Sequence, residues 1–163
     1  LLKLDPTSFE NWLDLALQYK TINDFEGARQ IWEYLNVAAP TNSISFVNLG
    51  NLYHLELKNF PKAEENFKQA LANSEQNIQA YSGLHELYRY SYKQGTTAAE
   101  DILRQGLVAI PKNLTLLMAL GSYYKDKGRN ADAKAVYEEA LVEAKAAENN
   151  ALVQMIQNEL KVL

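Results

Sequence analysis

The sequence predicts an all-α fold of stacked antiparallel helical hairpins, and three observations predict it. A block of large, large, small and aromatic residues recurs four times along the 163 residues. Each block is followed by a second one whose apolar residues also keep helical spacing. Turn-forming residues stand between the two blocks in every case.

The first blocks are Trp12, Leu15, Ala16, Tyr19; Phe46, Leu49, Gly50, Tyr53; Tyr81, Leu84, His85, Tyr88; and Leu117, Leu120, Gly121, Tyr124. Steps of three, one and three put each set on a single helix face. Small residues at Ala16, Gly50 and Gly121 let paired helices approach closely. The second blocks are Ala28 and Trp32; Ala63, Phe67 and Ala70; Ala99, Leu103 and Gly106; and Ala133, Tyr137 and Ala140. Asn23-Asp24, Asn59-Phe60-Pro61, Gln94-Gly95-Thr96 and Lys127-Gly128 supply the turns within hairpins. Pro61 suits a first helical turn, where a missing N–H costs nothing. Pro40 and Pro111 close second helices, because the residue before proline disfavours helical geometry. Repeat four has Lys145 in that place, so its second helix is expected to run on.

These units give boundaries of 9–42, 43–77, 78–113 and 114–147. Repeat two carries one extra residue before Ala63, and repeat three carries two before Ala99. A final amphipathic helix at 151–163, with Leu152, Met155, Ile156, Leu160 and Leu163 as its stripe, is expected to cap the array. A stack of hairpins needs such a cover for solubility. At the other end, residues 1–6 (Leu-Leu-Lys-Leu-Asp-Pro) are expected to be the end of a preceding helix.

The composition narrows the function. Hydrophobic residues make up 47% and charged residues 22%, ordinary values for a folded domain. Cysteine is absent, which removes disulfides and thiolate metal sites. The formal net charge is −4, and lysines and arginines are scattered singly, with none of the basic stripe that a nucleic-acid binder carries. No run of apolar residues reaches the roughly 18 needed to span a membrane. Neither the compartment nor a cofactor is indicated.

Chemistry is equally sparse. The two histidines, His54 and His85, occupy different positions of adjacent repeats, which disfavours a shared metal. No phosphate-binding glycine loop and no nucleophile elbow occurs. The paired acids Glu64-Glu65 and Glu138-Glu139 fall on outer faces of second helices, where solvation is the expectation. Asn113-Leu114-Thr115 matches a glycosylation acceptor, a single short match of little weight. An enzyme is not expected. Tyr81 and Tyr88 fall on the core stripe. Tyr90 and Tyr92 lie off it, and either pack on the next hairpin or stack on a ligand.

The order of Trp, Leu-Gly, Tyr, Ala, aromatic and Pro resembles the signature of the tetratricopeptide repeat family, roughly 34 residues long. The likeness covers nearly the whole chain. It implies a right-handed superhelical solenoid whose first helices line a concave groove that binds a peptide or partner protein. The family's inner positions correspond here to Leu13, Leu17, Val47, Asn48, Asn51, His54, Ser82, Glu86, Arg89, Met118 and Ser122, among others. Leu13, Leu17, Ile44, Val47 and Met118 are surplus to the hairpin cores, and exposed apolar groups mark interaction sites. Of the residues with which heat-shock co-chaperones of this family clamp a C-terminal carboxylate, only Asn48 has a match. The expected function is therefore a protein-interaction scaffold without cofactor, nucleic acid or membrane contact. The alternatives are an architectural or homo-oligomerising module with no groove ligand and, third, an RNA-processing scaffold.

Overall fold

The computed structural model describes residues 8–163. The expectation for residues 1–6 lies outside the described residues. Among the described residues there are nine α-helices, one π-helical turn and no strand. They are α1 (Phe9–Thr21), α2 (Phe25–Ala38), α3 (Ser43–Leu55), α4 (Phe60–Asn73), α5 (Ile78–Glu86) with the π-helical turn Leu87–Ser91, α6 (Ala98–Ala109), α7 (Leu114–Asp126), α8 (Asn130–Ala146) and α9 (Asn150–Lys161). The chain forms two compact units, one ending at Gln94 and the other running Gly95–Leu163.

The helix starts repeat as regularly as the cores. Asn42, Asn77, Asn113 and Asn149 each accept a backbone N–H through Oδ1, from Ile44 (2.9 Å), Ala80 (2.9 Å), Leu116 (3.1 Å) and Leu152 (3.1 Å). Each thereby satisfies one of the orphan donors that open a helix. Asp24 and Asn59 do the same for α2 and α4. Helix ends are equally stereotyped. Asn23, Gly128 and Glu148 take left-handed φ values of 61°, 69° and 54°. The following N–H groups of Asp24, Arg129 and Asn149 return to the carbonyls of Tyr19, Tyr124 and Ala144 at 2.9, 2.9 and 3.0 Å. This is the Schellman closure, in which orphan carbonyls find donors without lengthening the loop.

The extra residues of repeats two and three are absorbed at this same junction. In repeat two, Lys58 turns left-handed (φ 52°) and Asn59 N–H reaches back to Tyr53 at 2.8 Å. In repeat three the first helix widens instead: Leu87–Ser91 is π-helical, and Tyr92 N–H bonds to Leu87 at 2.7 Å. An inserted residue in a helix is commonly accommodated in this way. As expected from the missing proline, α8 runs on to Ala146.

In the first unit α2 lies against α1 and α3, and α4 against α3 and α5. The Phe67 ring on α4 fills the centre. A Cβ added at Gly50 of α3 would lie 2.8 Å from it, and one at Gly83 of α5 only 2.5 Å. Gly83 falls on an inner-face position in the sequence register, yet it is buried as a packing residue. In the second unit, where α7 packs on α6 and α8, Tyr137 of α8 meets Gly121 in the same way at 2.5 Å.

A polar latch closes each junction between a second helix and the first helix that comes next. The hydroxyl of Tyr53 donates to Glu33 (2.7 Å), that of Tyr88 to Glu64 (2.7 Å) and that of Tyr124 to Glu100 (2.8 Å). Cations complete them: Arg29 on Glu33, Lys93 on Glu64 at 2.6 Å, and Arg129 on Glu100 at 2.7 Å. Glu64 is thus not a solvated outer-face acid. It is buried, because Tyr88 and Lys93 reach over α4 to meet it. Burial raises its pKa, but hydrogen bonds from Lys68, Lys93 and Tyr88 outweigh this and hold it at about 2.

Two outcomes are expected. Gly83→Ala should cost about 1–3 kcal/mol by overpacking against Phe67, more than the helix propensity gained, when measured by urea unfolding. The Glu64 carboxyl sits below its ordinary 4.5, so its stabilisation is present above pH 4.5 and lost as pH falls toward 2. Glu64→Gln should lose about 1.5–3 kcal/mol at neutral pH. Its deficit against the parent chain should shrink between pH 4.5 and 2; a constant deficit would show that the charge is not what stabilises the junction.

Candidate functional site

Helix α3 is covered on three sides by α2, α4 and α5, so little of it reaches solvent. Its outward stripe is Ile44, Asn48, Asn51 and Leu55, at steps of four, three and four, while the half-buried Phe46 lines a cleft with residues of α2 and α4. The stripe's ends are apolar, Ile44 at 51% and Leu55 at 45% exposure. The two asparagines between them are half-buried. Among the described residues neither amide has a side-chain hydrogen-bond partner. They differ in this from Asn42, Asn59, Asn77 and Asn113, which cap helices.

Val47, expected beside them as apolar surface, is only 8% exposed and belongs to the packing. His54 is buried too. Its Nε2 lies 2.9 Å from Ser91 Oγ and its ring meets Phe60 edge-on, so it ties the end of α3 to the π-helical turn. Burial, aided by Lys58 and opposed by Glu86, lowers its pKa and favours the neutral ring.

On α1, Leu13 is half-buried and Leu17 is 45% exposed. On α5, Ser82 is half-buried and Glu86 is exposed. Arg89 stacks on the Tyr90 ring with its guanidinium carbon 4.9 Å from the centroid, and lies 3.4 Å from His85 Nε2. Tyr90 is 60% exposed. Tyr92, the other tyrosine off the core stripe, packs on Phe60 at 6.3 Å between centroids. Met118 and Ser122 are half-buried on α7 of the second unit, where Lys125 pairs with Glu159 of α9 at 2.6 Å. Among the described residues no group of three His, Asp or Glu is placed to hold a metal, and no helix is long and apolar enough to cross a membrane.

Sequence reasoning did not select Leu55 and left Tyr90 undecided. Leu55 was legible as the next step of the stripe after Asn51. Tyr90 was not, because the π-helical turn shifts it off the α-helical register on which the face was counted.

Comparison with known proteins places this geometry in context. The tetratricopeptide repeat model matches residues 44–77 and 114–141. No curated protein sequence matches the chain. Among solved structures the chain is similar to MamA, with a TM-score of 0.68 and 22% identity over 90% of this chain and 85% of that one. It is similar to TTC0263, a thermophilic TPR protein in Thermus thermophilus (TM-score 0.62, 21% identity, 93% and 82% covered). It also resembles YrrB, a TPR protein with an unusual peptide-binding site (TM-score 0.59, 13% identity, 92% and 83% covered). At these identities the likeness speaks for the fold, an all-α helical-repeat solenoid.

Proposed function

From the premise that this chain is a tetratricopeptide-repeat protein, we propose that it is a protein-interaction scaffold whose first-unit inner face binds an extended peptide along α3. The repeat fold as a class supports protein–protein interaction and is known as a non-enzymatic scaffold. The observation that carries the finer reading is the pair Asn48 and Asn51. They lie one turn apart on one face, half-buried, with no partner for their amides among the described residues.

A half-buried amide without a partner forfeits hydrogen bonds that water or a ligand must supply. Each amide offers a donor and an acceptor, which match the N–H and C=O of a peptide backbone whatever its sequence. Ile44 and Leu55, on the same stripe, offer apolar contact beside them, Leu17 adds exposed apolar surface on α1, and Glu86 and Arg89 would discriminate charge toward α5. The peptide-binding site of YrrB, a protein of the same fold, supports the general reading. Val47 and His54 drop out of the contact set because both are buried.

The test is selection from a random peptide library on the parent chain, followed by calorimetry with a double variant, Ile44→Glu with Asn51→Ala. Both positions are solvent-facing, so the melting temperature should hold. Losing one neutral hydrogen bond, worth about 0.5–1.5 kcal/mol, together with an apolar contact should weaken selected peptides by about tenfold or more. Peptides that bind the variant as tightly as the parent would place the ligand elsewhere.

A further inference from the structure

Among α3, α5 and α7, only α3 presents a stripe that reads apolar, amide, amide, apolar, through Ile44, Asn48, Asn51 and Leu55. At the same register α5 has Gln79, Gly83 and Glu86, and α7 has Thr115, Ala119, Ser122 and Asp126. The repeat pattern does not require the α3 set, so its spacing can be read for what lies on it. Ile44 and Leu55 are eleven residues apart in the sequence, about 16.5 Å along the axis at about 1.5 Å per residue. The asparagine pair is centred about 8 Å from either end.

A second helix would match steps of four, three and four. Its backbone groups are spent on its own turns, however, and it offers the two amides nothing but side chains. A flat strand shows the same face at every second residue, so its same-face residues lie about 13 or 20 Å apart and miss the stripe by about 3 Å. Polyproline II geometry fits more closely. It advances about 3.1 Å per residue with three residues per turn, so residues six apart face one way at about 19 Å, and the residue midway lies about 9 Å from each. Its backbone makes no internal hydrogen bonds, which leaves N–H and C=O groups for the amides.

Charge distinguishes the two ends. Helix α3 has no acid in its first turn, and the basic group of its last turn, His54, is buried and held neutral. The helix dipole is therefore unanswered at the Leu55 end, where it is negative. Glu86 of α5 is exposed, and its charge is felt at His54, the residue before Leu55. It is in no ion pair among the described residues, unlike Glu26, Glu33, Glu64 and Glu100. Lys58, past the end of α3, acts on His54 in the opposite sense and more weakly. The Leu55 end is the more negative one.

We propose that the ligand of α3 is a polyproline II segment with two apolar residues six apart, a small residue midway, and a lysine or arginine beside the apolar residue that meets Leu55. This rests on the reading of α3 as a peptide site and adds the ligand's conformation, spacing and charge. The two apolar residues cover Ile44 and Leu55. The small residue lets the backbone come within hydrogen-bonding distance of Asn48 and Asn51. The cation answers Glu86 and the dipole, and such complementarity selects among peptides of equal apolar content.

The probe is the heptapeptide Leu-Lys-Pro-Ala-Pro-Lys-Leu, amidated and carrying a fluorophore at its N-terminus. It is palindromic, so chain direction does not matter. Titration with the whole chain, followed by fluorescence anisotropy, should show binding that falls about tenfold when one proline is deleted or one alanine is inserted at the centre. Replacing both lysines by glutamate should also weaken it about tenfold, and Glu86→Gln should remove most of that difference. Asn51→Ala and Leu55→Ala should each weaken the heptapeptide while the melting temperature holds. Equal binding at all three spacings overturns the proposal, and so does binding that neither variant changes. Tighter binding by a stapled helical peptide with leucines at steps of four, three and four overturns it too, because α3 then takes a helix. If no heptapeptide binds at millimolar concentration while library-selected peptides still depend on Asn51, this inference falls and the α3 site stands. If the selected peptides also ignore Asn51, both fall.

Discussion

The first unit depends on one ring having room on both sides. Phe67 can fill the centre only because α3 and α5 each present a glycine to it, and a single methyl at either would meet the ring well inside van der Waals distance. Protein interiors are packed like crystals, so such a ring sets the separation of the helices around it to within tenths of an ångström. Once α3 and α5 are fixed about α4, their remaining faces are fixed as well. The stripe from Ile44 to Leu55 is what α3 has left after α2, α4 and α5 have taken their shares. Tyr137 against Gly121 applies the same constraint in the second unit.

Packing of this kind is apolar and would tolerate some sliding of one helix along another. The tyrosine–glutamate latches remove that freedom. Each joins a hydroxyl near the end of a first helix to a carboxylate on the preceding second helix, and a charged acceptor makes the bond stronger than a neutral one. At Glu64 the buried charge is tolerated because Tyr88, Lys68 and Lys93 all converge on it. Breaking one partner would leave the others uncompensated, so register along the helix is enforced by the cost of misalignment. The glycine–ring contacts set distance and the latches set register.

Most of the architecture was legible because it rests on spacing. Four helical hairpins, the small residues at Gly50 and Gly121, and the run-on of α8 all derive from periodicity and from the presence or absence of proline. The asparagine caps were legible too, recurring at 42, 77, 113 and 149, but they lie outside the apolar blocks by which the repeats were aligned. Glu64 could not be read correctly from its own helix, where it stands on the outer side. Its burial comes from residues 24 and 29 positions later, which no local pattern joins to it. Val47 was misplaced for a related reason. A face counted as inner by register becomes interior when the neighbouring first helix packs across it, and α5 lies directly against α3.

The π-helical turn shows how a small irregularity in sequence becomes a local difference in surface. Two extra residues in repeat three must go somewhere, and the tight Schellman closure used at Asn23 and Gly128 cannot hold them. Widening the last turn of the first helix accommodates part of the excess and rotates the residues beyond it. Ser91 is thereby carried to His54, which is pulled into the interior and lost from the inner face. Tyr90 is carried outward, with Arg89 stacked against it. A strict repeat would have presented the same residue types at the same positions in every unit. The insertion breaks that sameness in the first unit, where His54 is buried against Ser91 and an aromatic–guanidinium pair stands exposed on the π-helical turn. Irregular helical turns of this kind recur at functional sites because they re-aim side chains without disturbing the core beneath, and here the core beneath is the one that Phe67 holds.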